Sequence, residues 1–394
     1  MISSLRLVYV VSKWNQETET FIRREVAAAL DSGCDVQVVS LRSPGRPDGI
    51  VDESSISVLV PTLGAFARRI APAVVSRPSA VLGGLWRILR LGRPGTWLPH
   101  LRAWGAAIAV RGSIEPAHIV LAHFAWLSAT AADNIAQQNG LPYAVFPHAH
   151  DIYERRCRDR YLGDRLRRAS AVFVESETIA EDVRSSFGVD PTVMRMGVPD
   201  EYCVRITDDL SPDPTKVVSV GALRPKKGHD LLIRAVAELD QVSLDIVGEG
   251  AERQKLERLV LQLGATDRVR FRGHVDQWTI TELLDHAAVF CLASRVTESG
   301  DRDGVPNVLI EAMARGVPVI ATKVSGIPDL LADGRGSVVA EGDVPGLRNA
   351  IAEALADPSD ARERAQSALE HVRENYTTTS NWVRMASVLR DRIG

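Results

Sequence analysis

The sequence predicts an α/β protein of two doubly wound domains, and three observations carry that prediction. Strand-length apolar runs alternate with helix-period runs along the whole chain, the pattern of parallel strands covered by crossover helices on both faces. The alternation occurs in two blocks, separated by the stretch Val198 to Thr215, which holds Pro199, Pro212 and Pro214 and little periodicity. The length of 394 residues, with 45% apolar and 25% charged residues, suits two to three ordinary soluble domains.

In the first block the strands read as Leu5–Val11, Asp35–Leu41, His118–His123, Tyr143–Phe146, Ala171–Val174 and Thr192–Met196, each too short for a helix and rich in Val, Ile or Phe. Helical spacing places helices at about Thr18–Asp31, Trp126–Gln138 and Ile179–Phe187. In the second block strands fall at Lys216–Val220, Ser243–Val247, Val269–Phe271, Val289–Leu292, Val317–Ala321 and Ser337–Val339. Helices at about Asp230–Leu239, Glu252–Leu263, Thr279–Ala287, Asn307–Ala314 and Val344–Ala356 separate them. The reading divides the chain into domains 1–205 and 206–375, with an amphipathic terminal helix in 376–394 that either caps the second domain or crosses back to the first. Two such domains face each other across a central cleft, and ligands of open parallel sheets bind beyond the carboxyl ends of the strands.

Composition excludes several classes. The four cysteines (Cys34, Cys157, Cys203, Cys291) are scattered, without metal-ligand spacing, as expected of a reduced compartment. The N-terminus lacks a signal peptide's apolar core, and no apolar run of about 18 residues offers a spanning helix. A cytoplasmic location, with contact at the inner face of the membrane, is the expectation. The net charge of −3 hides an asymmetry: residues 1–205 are net +3 and the remainder net −6. From Glu53 to Glu115 there is no acidic residue between, only eight arginines (Arg68, Arg69, Arg77, Arg87, Arg90, Arg93, Arg102, Arg111) with Trp86, Trp97 and Trp104. That mixture in region 66–111 suits anionic lipid heads; its alternative is a solvated helix face with core tryptophans. The arginine-rich run Arg155 to Arg168 reads as a solvated helix surface rather than an anion site, and no nucleic acid is expected.

The segment Glu298 to Thr322 reads as acidic loop, helix, tight turn and buried strand. Gly304 frees the loop and Pro306 suits the first helical turn. The amides of Asn307, Val308 and Leu309 then project from the helix start, where phosphate binds. Glu311 lies one turn on, beside Asn307. A carboxylate there repels phosphate but accepts hydrogen bonds from a ribose, so the arrangement suits a nucleoside diphosphate. Ser219 to Asp230 is strand, glycine (Gly221), basic loop and helix, placing Arg224 and Lys227 where they can hold a diphosphate and stabilise it as a leaving group. Gly248-Glu249-Gly250 lacks the third glycine of a dinucleotide fingerprint, so it marks a tight turn close to the nucleotide rather than a hydride-transfer site.

In the first block, Pro147-His148-Ala149-His150-Asp151 follows a strand, with both histidines on one side if the strand continues. His148 then stands at the cleft mouth, ready to bond a sugar hydroxyl or a developing charge. These residues are also metal-ligand types, but no further His/Asp cluster completes a site, so no metal is expected. His123 reads as structural. Glu17 or Thr18 caps the first helix, and polar residues at that turn face the cleft.

Together these residues resemble family 4 of the glycosyltransferases, the retaining, nucleotide-sugar-dependent group of GT-B fold (two Rossmann-like domains) that builds bacterial surface polysaccharides and glycolipids. Asp303 to Glu311, with Ala312-Met313-Ala314-Arg315-Gly316-Val317-Pro318-Val319, is similar to the family's Glu-x7-Glu segment and the run after it. Thr18-Glu19-Thr20-Phe21-Ile22 resembles a variant found among exopolysaccharide and colanic-acid-type transferases. The resemblance implies that Lys227 and an arginine bind the donor diphosphate of a UDP- or GDP-sugar, with Glu311 on the ribose. It implies Asp303 at the donor sugar, His148 at the reaction centre, and Glu19, Thr20, His150 and Asp151 toward a glycan or lipid-linked acceptor, without cofactor. Three departures stand out: Asp303 where many members have Glu, Ala222 where many have Arg, and no Gly-Gly pair in the first loop. Rival readings are a sugar-nucleotide epimerase or phosphorylase on a related fold, or a non-catalytic nucleotide-sugar-binding scaffold.

Overall fold

Among the described residues of the computed structural model, thirteen strands form two sheets, and every strand pairing in them is parallel. The described residues are 5–16, 19–91, 97–154, 160–203 and 212–393. Glu17, Thr18, Arg93, Cys157, the start of the Arg155–Arg168 run and part of the boundary stretch lie outside them. The chain divides into two compact units, Met1–Arg195 with Thr378–Gly394, and Met196–Thr377.

The first unit runs β1 (Arg6–Lys13), α1 (Thr20–Asp31), β2 (Asp35–Arg42), β3 (Ser57–Leu59), α2 (Leu63–Ser76), α3 (Pro78–Leu91), α4 (Trp97–Ala109) and β4 (Ile119–His123). It continues through α5 (Leu127–Asn139), β5 (Tyr143–Phe146), α6 (Ala149–Tyr153), α7 (Arg160–Arg168), β6 (Ala171–Val174), α8 (Glu177–Phe187) and β7 (Thr192–Val193). Strand order is β3-β2-β1-β4-β5-β6-β7. β4 and β5 are buried at every residue, as strands covered on both faces must be. Ser176 caps α8 by accepting from the Ile179 amide, and Gly188 ends it at φ +65°.

The second unit runs β8 (Asp213–Val220), α9 (His229–Ala237), β9 (Ser243–Val247), α10 (Arg253–Gln262), β10 (Val269–Gly273), α11 (Gln277–Asp285) and β11 (Ala287–Leu292). Then come α12 (Asn307–Ala314), β12 (Val319–Thr322), α13 (Ile327–Leu330), β13 (Ser337–Val339), α14 (Val344–Ala356) and α15 (Pro358–Asn375). Its order β10-β9-β8-β11-β12-β13 repeats the first unit's plan, with the reversal of strand order between β8 and β11 as it is between β1 and β4. The last helix, α16 (Thr378–Ile393), belongs to the first unit and packs on α1.

The structure corrects the sequence reading in three places. The helices α2, α3, α4 and α15 are missing from the sequence reading, and Pro72 inside α2 interrupts the signal of that helix. The strand after Phe146 does not continue: residues 149–153 form a short helix, so His148 and His150 are not strand neighbours. The short edge strand β3 carries only half-buried residues and gave no alternation to read.

Candidate active site

In the second unit, β8 and β11 deliver their following loops to the two sides of the switch point. The β8 loop, Gly221 to Gly228, ends at a residue that only glycine fits. Gly228 has φ +61°, and a Cβ there would lie 1.8 Å from the Ala293 carbonyl oxygen beyond β11. Arg295 staples the same two loops, its guanidinium forking onto Asp230 (2.6 and 3.2 Å) and donating to the Pro225 carbonyl (2.7 Å). Gly248, at φ +134°, would put a Cβ 2.1 Å from the Gly221 carbonyl oxygen. Its requirement is therefore close approach to the β8 loop.

Lys227 and Asp303 meet at this point. The Lys227 ammonium lies 2.9 Å from Asp303 Oδ2, and Ser294 Oγ donates to the same oxygen at 2.7 Å. Lys226 pairs with Asp301 at 3.2 Å and stands 3.8 Å from the other Asp303 oxygen. Asp303 is buried, so its charge depends on these donors. Arg224 is exposed and lines, with Lys226, Arg295, Thr297 and Asp301, a cavity of about 560 Å³.

The start of α12 differs from the expectation in detail. Pro306 is the cap residue rather than the first helical one, and the Leu309 amide donates to its carbonyl at 3.0 Å. The amides of Asn307 and Val308 have no acceptor among the described residues and remain the open pair at the positive end of the helix. The left-handed residue of the preceding loop is Gly300 (φ +89°), not Gly304, which is buried without positive φ. Glu311 is buried one turn beyond Asn307, with Gln277 Nε2 at 3.5 Å from its Oε2.

His229, the first residue of α9, is buried, and burial with the neighbouring Lys227 charge pushes its pKa down from 6.5 to about 4. Its Nε2 has no hydrogen-bond partner among the described residues. Between those values the unfolded chain binds a proton that the folded chain refuses, so stability rises with pH across the window and is complete above 6.5. Acidifying from pH 7 to 5 is expected to remove about 2 kcal/mol through this group. His229→Gln should flatten that part of a melting-temperature profile against pH; an unchanged slope would refute the assignment.

In the first unit a chain of polar groups runs along the carboxyl ends of the strands. Tyr9 donates to Glu25 (2.8 Å), Glu25 lies 3.1 Å from His123 Nε2, His123 Nδ1 lies 3.3 Å from His148 Nε2, and His148 Nδ1 lies 3.4 Å from Glu175. His123 is thus a link of this chain rather than a plain core residue. Phe21, Phe124 and Phe146 pack their rings within 5.0 Å of the His148 ring. Phe124 follows β4 at φ +70°, a strained conformation that lays its ring over His148.

Asp151 is engaged by the backbone. It is buried, and its Oδ2 accepts from the Ala125 and His148 amides (2.8 and 3.0 Å), pinning two strand-end loops together. Burial raises its pKa above the usual carboxylate value. Glu19 precedes α1 and makes no side-chain cap; Thr20 opens the helix and His150 lies half-buried in α6. Burial raises the Glu19 pKa too, against the opposing pull of His148, and its Oε2 has no hydrogen-bond partner among the described residues.

Sequence reasoning missed Ser294, Arg295, Gln277, Glu25 and Glu175. Ser294, Arg295 and Glu175 directly follow strands that the sequence located, so the rule that ligands gather at strand carboxyl ends could have found them. Glu25 and Gln277 sit on helices, and only the packing of those helices shows what they face.

Comparison with known proteins accords with this geometry. Residues 207–371 match the family model for glycosyl transferases group 1, and residues 18–197 match that for a glycosyl transferase 4-like domain. A putative colanic acid biosynthesis glycosyltransferase, WcaL of Salmonella typhimurium, is 27% identical over 98% of this chain and 100% of its own. Among solved structures, sucrose-phosphate synthase from Thermosynechococcus elongatus superposes with a TM-score of 0.77 at 20% identity, covering 98% of each chain. Anabaena Alr3699/HepE in complex with UDP-glucose gives a TM-score of 0.73 at 17% identity, covering 98% of this chain and all of that one. The chain belongs to the family 4 glycosyltransferases and has their GT-B fold.

Proposed function

We propose that this glycosyltransferase moves a hexose-type sugar from a UDP- or GDP-sugar to a hydroxyl of a glycan or lipid-linked acceptor, with retention at the anomeric carbon, in the assembly of a surface polysaccharide or glycolipid. The observation that carries the reading is the Lys227 ammonium paired at the switch point with the Asp303 carboxylate, which lies four residues before a helix start with two open amides. The relatives named for exopolysaccharide synthesis and the neighbour holding UDP-glucose support the same reading.

In this proposal the donor diphosphate displaces Asp303 from Lys227 and is also held by the Asn307 and Val308 amides. Asp303 turns to the hydroxyls of the sugar. The ribose hydroxyls bond Glu311, which Gln277 orients. As the bond from the anomeric carbon to the phosphate oxygen breaks, the electron pair stays on the diphosphate, and Lys227 with the helix start stabilises it. Arg224 closes on the diphosphate from its exposed position. His148, backed by His123 and Glu175, meets the sugar or its developing charge, while Glu19, Thr20 and His150 border the acceptor. No metal is required in this scheme.

Thermal unfolding with UDP- and GDP-sugars tests it. A donor at a hundredfold excess over its Kd should add roughly 3 kcal/mol and raise the melting temperature by several degrees. Glu311→Ala removes charge-assisted bonds to the ribose and should cut that shift by more than half. An undiminished shift in the variant would sink the ribose assignment; no shift with either nucleotide would sink the donor class.

A further inference from the structure

The α2–α3 hairpin of the first unit carries an apolar arc too broad for its inner partners to cover. Its inner side, with Phe66, Ile70, Ala73, Val81, Leu85 and Ile88, packs against α4. Trp104 of α4 is buried there, its indole donating to the Val81 carbonyl at 3.0 Å. Two of the segment's arginines also serve the fold: Arg69 donates to the Ala109 carbonyl and to Ser113 (2.8 Å), and Arg87 to Gln137 (2.9 Å).

The outer side has no such partner among the described residues. Leu63 and Val75 are 82% and 83% exposed, at opposite ends of a stripe completed by exposed Ala67 and Ala71. Residues four apart share a helix face, so the whole stripe is apolar. On α3, Leu82, Trp86 and Leu89 repeat the arrangement. Of eleven exposed large apolar side chains among the described residues, seven fall from Val60 to Leu98, which is a concentration and not the usual scatter. Arg68, Arg77, Arg90 and Arg102 are exposed in the same segment, the Arg90 guanidinium 4.7 Å from the Trp86 ring centroid. No carboxylate lies between Glu53 and Glu115 to neutralise them.

We propose that this outer face lies on an anionic lipid bilayer, its leucines and Trp86 in the headgroup–acyl boundary and Arg68, Arg77 and Arg90 on lipid phosphates. No helix among the described residues is long and apolar enough to cross a membrane, so the attachment is in plane. Charge complementarity selects this occupant. A second copy would oppose like charges across the contact, whereas anionic lipid supplies the missing countercharge. The face is separate from the donor residues, so its test leaves the proposed reaction untouched.

The test is sedimentation of the full chain with phosphatidylcholine vesicles, with and without phosphatidylglycerol. The chain should pellet with the anionic vesicles, stay in the supernatant with neutral ones, and be released by salt. Leu63→Ser with Trp86→Ser should lower the partition coefficient roughly tenfold or more, and Arg68→Glu with Arg90→Glu by a similar factor. Trp278→Ser, at a tryptophan 79% exposed in the second unit, should change nothing. Recovery in the supernatant with both vesicles would overturn the proposal. So would equal pelleting of the Arg→Glu variant, or a lipid-independent dimer that Trp86→Ser dissociates.

Discussion

Lys227→Ala should lower kcat by about 100- to 1,000-fold, the usual loss when one preorganised donor to developing charge is removed. Lys227 is held ready by the fold: Gly228 and Arg295 fix its loop against the β11 end, and Asp303 holds the ammonium at 2.9 Å. A donor phosphate that replaces Asp303 finds the cation already placed, with little reorganisation at the moment of bond breaking. The charge matters most when the diphosphate gains negative charge, so kcat should fall more than the donor KM rises. The variant also leaves a buried carboxylate with Ser294 and the more distant Lys226 alone, which weakens the fold. Adding Asp303→Asn should therefore restore the melting temperature without restoring turnover. Release of nucleoside diphosphate, followed under single-turnover conditions, measures the effect. A Lys227→Ala enzyme within about threefold of the parent rate would remove this residue from the mechanism.

Gly228→Ala should be the most destabilising single substitution argued from these contacts, by about 3–5 kcal/mol. Two costs add: a left-handed φ of +61°, and a Cβ only 1.8 Å from a backbone oxygen at the end of a buried strand. That oxygen cannot yield as a flexible side chain would. Gly264 separates the two costs, since it has nearly the same φ, +63°, with nothing within 4 Å of a built Cβ. Gly264→Ala should therefore cost only about 1 kcal/mol. Scanning calorimetry should show the second unit's transition falling by roughly 10 °C for Gly228→Ala and by only a few degrees for Gly264→Ala. Equal losses in the two variants would show that backbone conformation alone sets the requirement.

Among the helices missing from the sequence reading, α2 and α3 show the limit of periodicity. The broad apolar arc of α2 and α3 is helical in spacing, but spacing cannot say which part α4 covers and which part stays outside. The eight arginines of that region looked equivalent in the sequence. Packing sorted them, turning Arg69 and Arg87 inward to carbonyl and amide oxygens and leaving Arg68, Arg77, Arg90 and Arg102 outside. In the same way Asp151 had the chemistry of an acceptor contact, but two backbone amides reach its buried oxygen first.

The two wound sheets and the segment from Asp303 to Glu311 were legible because local chemistry dictates them. Strand length, apolar runs and a proline before a helix act over a few residues, and no distant contact is needed to read them. The pairing of Lys227 with Asp303, the line from Glu25 through His123 to His148, and the choice of Asn307 and Val308 as the open amides join residues far apart in the chain or depend on a turn's exact closure. Those were decided only when the strands took their order, because strand order sets which loop ends meet at the switch point.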